Sequence, residues 1–580
     1  MKALGVLLWA FVVVAHTYYN ESLHITPLPR NRVLTSFEFN ITSGVLDFER
    51  QDVSNGHYAY FSRALGPVIE SNGARELHLR FGQGWWDAEK WGELPYSGSK
   101  SGGTGVEVWA VIEAPSLEQA KKQWYSLTKT LSGFFCALLN FIDDSITTTP
   151  KHIIGDATTV TMDSRNSLFL LKAALPSEPI CTENLTPFLK LLPTRGKAGV
   201  SSLLDGHKLF DSLWHAMLID VNTVCTEIGC YLDMQETISA VIDVNRSIRK
   251  QKEGGVPKPT PGEDLRCDST KKHDVWTCFP SGEDKEIDYS LSTIFGRSIK
   301  GPAFVGDNEG TLIVLNVHPE LWKVEFVEGQ MPVARYSKQW TIERHITSTE
   351  PCDVLLSCSD NSVTSPIIDP PVRVARSLTG YSQDKGGIRA AFTNQLNRTS
   401  RFVYLETLPW FMKLHMHTLT IVGSGSNAES WVVDQFYRPL IDRTRPLRLE
   451  FVIELPAGAT LTLTFKFHKN LLLIHEYPPD ANHGFAIDPA VITVFDASDG
   501  LPIYEFRTTS MLLTLPVPDF SMPYNVIILT CTVMSLAFGS IFNLLIKKTV
   551  TEDEYQMMAA KSGLGKLKQK IQAVKRSIRG

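Results

Sequence analysis

Residues 447–469 read LRLEFVIELPAGATLTLTFKFHK. Leu447, Leu449, Phe451, Ile453 and Leu455 alternate with other residues, Pro456 to Ala459 supplies turn chemistry, and Leu461, Leu463, Phe465 and Phe467 alternate again. A period of two puts every second side chain on one face, so the stretch predicts a long antiparallel hairpin with one buried face. Further strand-like stretches run from Val106 to Ala114, Thr311 to Val317, Gln339 to Ile346 and Leu414 to Val422. Many strands with few long helices favour sheets stacked in sandwiches. The clearest helix starts at Ser116. Ser116 and Gln119 have the spacing of a capping box, and Leu117, Ala120, Trp124, Leu127 and Leu131 then recur at three or four residues. The N-terminal part therefore reads as α+β.

A chain of 580 residues, 43% apolar and 21% charged, is long enough for two to four domains that each bury a core. Its formal net charge of −5 lacks the basic excess of a nucleic-acid binder. No fixed-period repeat marks a solenoid or propeller. Flexible punctuation is expected at Ser97 to Gly105 and at Lys250 to Glu263 (KQKEGGVPKPTPGE), the second polar, Pro- and Gly-rich and without a buried pattern.

The two ends set the compartment. Met1 and Lys2 precede the apolar run Ala3 to Ala15, which reads as a secretory signal peptide cleaved after Ala15 and too short to span a bilayer. Tyr524 to Ile546 carries no charge and is long enough to cross about 30 Å of hydrocarbon as a helix. A C-terminal lipid-anchor signal would end in that tail, whereas nine Lys or Arg against three acids follow it here, so the span stays in the mature chain. Lys547 and Lys548 lead this basic tail, which the positive-inside rule puts in the cytosol, leaving the N-terminal body luminal or extracellular. Leu567, Ile571, Val574 and Ile578 recur opposite lysines, a pattern suited to a helix on an anionic membrane face or to a solvated basic tail.

Eight cysteines precede the span and Cys531 lies in it. Short spacings suggest the bridges Cys225 with Cys230, Cys267 with Cys278 and Cys352 with Cys358. Cys136 and Cys181 are left to pair with each other, stay reduced or reach another chain. Cys136 sits in apolar FFCALL, where a buried thiol is usual, and Cys181 in CTENLTP, which reads as an exposed loop. Sequons at Asn20, Asn40, Asn184, Asn245 and Asn397 agree with an oxidising lumen.

Motifs for a zinc hydrolase, a nucleophile elbow or a phosphate loop are missing. Gly82 and Gly84 in FGQGWW lack a third glycine at the right spacing and read as a turn beside buried Trp85 and Trp86. His483 and Cys531 have caspase-like separation, yet Cys531 lies inside the apolar span, where a thiolate is disfavoured, so His483 reads as a turn residue. His415 and His417 share a strand face but want a third ligand, which leaves them as half-buried sheet histidines. Neither metal nor cofactor is expected.

Seven stretches together resemble the PIG-T family of the GPI transamidase: LHITPLP from Leu23, RELHLRFGQGWW from Arg75, SGFFCALLNFID from Ser132, CTENLTPFLKLLP from Cys181, TLPWFMKLHMHTLTI from Thr407, DANHGF from Asp480 and VPDFSMPYNVI from Val517. The likeness is weak over Asn245 to Gly310, and Thr194 stands where some members have cysteine. The resemblance implies a non-catalytic subunit of a five-subunit complex of the endoplasmic reticulum membrane. That complex removes a C-terminal signal from a proprotein and joins the new carboxyl end to the ethanolamine amine of GPI. Its nucleophilic Cys and its His belong to a separate caspase-like subunit, and the family cysteine bonded to that subunit corresponds to Cys181.

The organisation expected is a signal peptide at 1–15, a luminal α+β domain at 16–250, a loop-rich connector at 251–310, a luminal β-sandwich at 311–521, the transmembrane helix at 522–546 and a cytosolic tail at 547–580. The fold class is mainly β with one C-terminal transmembrane helix. Pro516, Pro518 and Pro523 stiffen the approach to the span, and Asp519, Ser521 and Asn525 put polar groups at its luminal end. Met522, Pro523, Tyr524 and Asn525 are therefore candidates to line a GPI site; a rigid connector anchored by Tyr524 is the plainer reading. Asn20, Asn40, Asn245 and Asn397 are expected to carry glycans, and Asn184, three residues from Cys181, to be bare. A type I cell-surface adhesion protein would share this layout, and a luminal hydrolase is the remaining class.

Overall fold

The computed structural model describes residues 18–580 except 45, 48–57, 153–165, 226–228, 254–264, 268–277, 281–285, 306–309, 337–338, 361–366, 381, 426, 479, 497, 499, 518–520, 548 and 580. The expected signal peptide and most of Lys250 to Glu263 lie outside the described residues. Lys250 to Glu253 belong to the helix Val244–Glu253. The chain is mostly β, as its alternating stretches predict, and divides into two compact units, Met1–Pro516 and Val517–Gly580.

The first sheet runs Thr341–Ile346, Gly310–Asn316, Tyr19–Leu28, Arg32–Thr42, Gly229–Asp243, Trp214–Cys225, Ala74–Gly84, Gly105–Ala114, Ser167–Leu175. Nearly all its pairs are antiparallel, but Gly310–Asn316 adds parallel to Tyr19–Leu28 across half of the chain length. The helix Leu117–Phe135 covers one face, its first turn capped by the Ser116 hydroxyl accepting from the Gln119 N–H at 3.3 Å. Ala120, Trp124, Leu127 and Leu131 are buried at the expected spacing. A five-stranded sheet containing Trp322–Glu328 and Pro351–Cys358 completes this core, which extends from Tyr19 to Cys358. Residues 311–358 therefore belong with the N-terminal part, and the cores do not divide at 310. Long-range pairing with Tyr19–Leu28 is the cause, and local spacing carries no signal of it.

The second core runs from Val372 to Leu515 between two antiparallel sheets. Here the expected hairpin is corrected. Leu447–Leu455 pairs with Ser400–Leu408 and Val432–Arg438, whereas Thr460–Lys469 pairs with Lys385–Asn394 and Met412–Gly423. Pro456 to Ala459 carries the chain from one sheet to the other, with Gly458 at φ 63°. Their apolar faces meet across the sandwich, and all nine of the alternating apolar side chains are buried.

Charged side chains join the two cores inside this unit. Arg507 donates to both Glu107 oxygens at 2.7 and 3.1 Å, and Lys172 lies 3.1 Å from the same carboxylate. Burial opposes ionisation of Glu107, but Arg507 and Lys172 outweigh it and hold the carboxyl below its usual range. Glu450, fully buried, accepts from the backbone N–H groups of Lys151 and His152 at 2.9 Å each. Ser97 to Gly105 is likewise pinned: the Ser101 carbonyl accepts from Arg507 at 3.3 Å, and a Cβ on Gly98 would strike the Glu505 carbonyl.

In the second unit, Ser521–Ile546 is one helix, and its stretch Tyr524–Ile546 is long and apolar enough to cross a membrane. The helices Glu552–Lys561 and Gly563–Arg579 follow.

Candidate docking face and membrane approach

The helix Leu117–Phe135 stops at Cys136, which takes a left-handed conformation at φ 55° and caps onto the Ser132 carbonyl. Left-handed geometry is costly for a residue with a Cβ, so the neighbours must hold it. Asn184 does much of this. It is 1% exposed; its Nδ2 donates to the carbonyls of Phe135 at 2.9 Å and Cys136 at 3.2 Å, while its Oδ1 accepts from the Cys181 N–H at 2.8 Å. One buried amide thus ties the end of one helix to the start of the next, Thr182–Leu191, whose N-cap is Cys181. Phe81, Phe135 and Phe188 pack edge to face or tilted beneath the junction at 5.5–6.0 Å.

Both thiols at this junction are free and exposed. Two expectations are corrected: Cys136 is not buried, because the helix has ended before it, and CTENLTP is a helix start rather than a loop. The Cys136 sulfur lies 3.9 Å from a Glu183 oxygen. Leu138 and Phe141, 50% and 61% exposed, stand beside it, and the Leu138 N–H donates to Glu178 at 2.9 Å. The face combines accessible thiols, two apolar side chains and two carboxylates on a braced backbone.

The other cysteines are differently placed. Cys225 and Cys230 are disulfide-bonded where their strands meet. Cys267 and Cys278 are direct backbone partners in a two-stranded sheet. Cys352 and Cys358 are both free, buried and on the single strand Pro351–Cys358. Six residues of extended strand separate them by about 20 Å, so the expected bridge between them is excluded. Burial pushes the Cys352 thiol up to about 12, the value of an inert core cysteine.

Of the residues expected near the span, Met522, Tyr524 and Asn525 are exposed on the first turns of Ser521–Ile546, and Pro523 lies in the same helix. His483 lies in a turn, its N–H donating to the Asp480 carbonyl at 3.2 Å. His415 hydrogen-bonds His468 on the neighbouring strand, and the described residues contain no group of three or more His, Cys, Asp or Glu able to hold a metal. Trp85 is 69% exposed, contrary to expectation. Trp86 packs between Trp91 and Trp214 with centroids 5.1 and 5.0 Å away. Both line a cleft of about 550 Å³ that also touches Arg373 and Tyr504.

Asn20, Asn245 and Asn397 are exposed and Asn40 is half-buried. Sequence reasoning missed that Asn20 and Asn40 are direct cross-strand partners, because only the register of the first two strands shows it.

A β-rich body with surface thiols, followed among the described residues by an apolar helix long enough to cross a membrane, defines a sandwich protein with a candidate C-terminal span. The chain belongs to the Gpi16 family, described as the Gpi16 subunit, GPI transamidase component, whose match covers residues 3–572. It is similar to the GPI transamidase component GPI16 of Saccharomyces cerevisiae, with 41% identity over 96% of this chain and 94% of the relative. It is also similar to the GPI transamidase component PIG-T homolog of Schizosaccharomyces pombe, with 33% identity over 95% and 94%. The human GPI-anchor transamidase component PIGT is 31% identical over 93% and 91%. The resemblance read from seven short stretches therefore extends over nearly the whole chain.

Proposed function

We propose that this chain is a non-catalytic subunit of a GPI transamidase in the endoplasmic reticulum membrane. Its body is luminal, its basic tail cytosolic, and it scaffolds a caspase-like catalytic subunit that it holds by a disulfide from Cys181. The observation that carries this is the exposed Cys181 thiol at a helix start locked by buried Asn184, whose amide also holds the Cys136 carbonyl just ahead of exposed Leu138 and Phe141. A rigid, apolar-rimmed thiol in an oxidising lumen suits an interchain bond. Cys267 and Cys278, opposite in register, suit an intrachain bond.

The test is non-reducing electrophoresis of the intact complex. Wild type should run as a heavier species that Cys181→Ser loses and Cys136→Ser keeps. Cys181→Ser should reduce rather than abolish GPI attachment, since a broad noncovalent interface persists. Loss of the heavier species with Cys136→Ser instead would move the tether to the neighbouring thiol.

The same reading has the chain help present proprotein and GPI lipid, with Met522, Pro523, Tyr524 and Asn525 at the lipid. Asn525 is a polar amide near the start of a helix that carries no charged residue, which supports a head-group contact. Asn525→Leu in an assembled complex should lower GPI attachment, and unchanged attachment would leave these residues a connector.

A further inference from the structure

The loop that follows strand Thr460–Lys469 carries four aliphatic residues in a row, Leu471 to Ile474. Leu472 packs partly against the second core, while Leu471, Leu473 and Ile474 are 72%, 50% and 61% exposed. Four consecutive aliphatics with three turned outward is a poor arrangement for water unless something covers them.

The loop is built rather than loose. At its start, the Asn470 N–H donates to the Phe411 carbonyl at 2.8 Å. At its end, Glu476 accepts from the Leu473 N–H at 2.6 Å and pairs with Arg443, whose guanidinium lies 4.7 Å from the Trp410 ring. The aliphatic side chains are thus displayed by a fixed backbone.

What covers them is indicated by the strand end to which both sides of the loop are tied. Lys469 Nζ donates to the Thr514 carbonyl at 2.9 Å, and the Tyr477 hydroxyl donates to the Pro516 carbonyl at 2.5 Å. Thr514 to Pro516 are the last residues of the sandwich body, and Tyr524, eight residues after Pro516, opens the apolar stretch. Eight residues of fully extended chain reach at most about 29 Å. The flanks, Lys469 on one side and His475 and Tyr477 on the other, have the cationic and amphipathic character of residues at a bilayer interface.

We infer that Leu471, Leu473 and Ile474 dip into the bilayer leaflet on the luminal side and form a second, peripheral membrane contact of the sandwich body. The lipid acyl chains and glycerol backbone are the partner, met by hydrophobic burial rather than by head-group recognition. This rests on the proposed crossing by Tyr524–Ile546 with the body on the lumen side.

The test is photocrosslinking in the intact complex, reconstituted in nanodiscs of palmitoyl-oleoyl phosphatidylcholine. p-Benzoylphenylalanine replaces Ile474, and in a second variant Leu471; both positions are exposed, so folding is spared, and co-purification of the other subunits verifies assembly. Phe538 within the span and Met331, 74% exposed on the first core, are the reference positions. Mass spectrometry should find phosphatidylcholine adducts at 474 and 471 comparable to those at 538 and absent at 331. Adducts at 538 with none at 474 or 471, or crosslinks there to another subunit alone, overturn the inference while leaving the crossing intact. No lipid adduct at 538 overturns the crossing itself and this inference with it.

Discussion

Glu21 in the first core and Glu406 in the second are buried almost equally, at 2% and 0% exposure, yet they are held by different chemistry. Glu406 faces the Arg376 guanidinium, which donates from Nε at 2.9 Å and from Nη2, and it also accepts from the Tyr404 hydroxyl. Glu21 has no cation among its bonded partners: the Tyr19 hydroxyl at 2.8 Å, the Thr311 hydroxyl at 2.8 Å and the Val200 N–H at 2.7 Å. Gly199, at φ 63°, leaves the space that a Cβ would take from the Glu21 carboxylate. Burial pushes Glu21 up to about 7, and those three neutral donors offset it only in part. The difference teaches that a buried carboxylate can act as a structural charge or as a proton store, according to whether a cation is built in beside it.

The largest effect should come from breaking the charged pair. Glu406→Leu leaves Arg376 buried and unpaired, which costs about 3–5 kcal/mol. The double variant Glu406→Leu with Arg376→Met should recover most of that, since replacing both charges by apolar groups is often neutral. Unfolding midpoints of the purified single and double variants decide it. Equal destabilisation by both would show that the pair contributes packing and not charge.

Glu21 should instead make stability depend on pH. The folded chain keeps the Glu21 proton until pH approaches 7, whereas the unfolded chain releases it near the ordinary 4.5. Between those values the folded state binds more protons, so its stability falls as pH rises and the loss is complete above the folded value. A displacement of that size is worth at most about 3 kcal/mol. Asp488, pushed up to about 7 by burial, works in the same direction, so the test is a difference between variants. Glu21→Gln should narrow the gap in unfolding midpoint between pH 5 and pH 8. An unchanged gap would assign it to other groups.

These two sites also show how much the sequence reveals. Alternation in Leu447 to Phe467 states which side chains are buried, because period two reports the face of a strand. It says nothing of which strand lies alongside, so a crossing between two sheets and a hairpin in one look alike. Thr311 reaches Glu21 only because Gly310–Asn316 joins the first strand from 290 residues away. Cysteine spacing failed for Cys352 and Cys358 because closeness in sequence becomes distance along an extended strand. The thiol-bearing junction was legible as a motif, CTENLTP, while its brace was not: Asn184 looked like a sequon, and its role lies in bonds to Phe135 and Cys136.

The smallest effect concerns the outer face of the strand that carries Glu21. Side chains alternate along Tyr19–Leu28, so buried Glu21 is followed and preceded by outward residues, among them exposed Asn20. Asn20 is paired in register with Asn40 on Arg32–Thr42. Directly opposed residues hold their Cβ atoms about 4.5–5.5 Å apart, too close for two branched glycans to leave side by side without crowding. Asn20 is the more exposed of the two, and its Oδ1 accepts from the Gly310 N–H at 3.3 Å, a bond that glycosylation at Nδ2 leaves possible. In the assembled chain Asn20 should therefore carry the glycan and Asn40 should be bare on the same molecules. Asn245 and Asn397, both exposed, should be occupied. Asn184 should be empty, because both of its amide hydrogens are committed to the junction beneath Cys181. Glycopeptide mapping of the intact complex reads all five sites at once. Full occupancy at Asn20 and Asn40 together would mean that the first strand pair is not formed as described, and occupancy at Asn184 would remove the brace from the docking face.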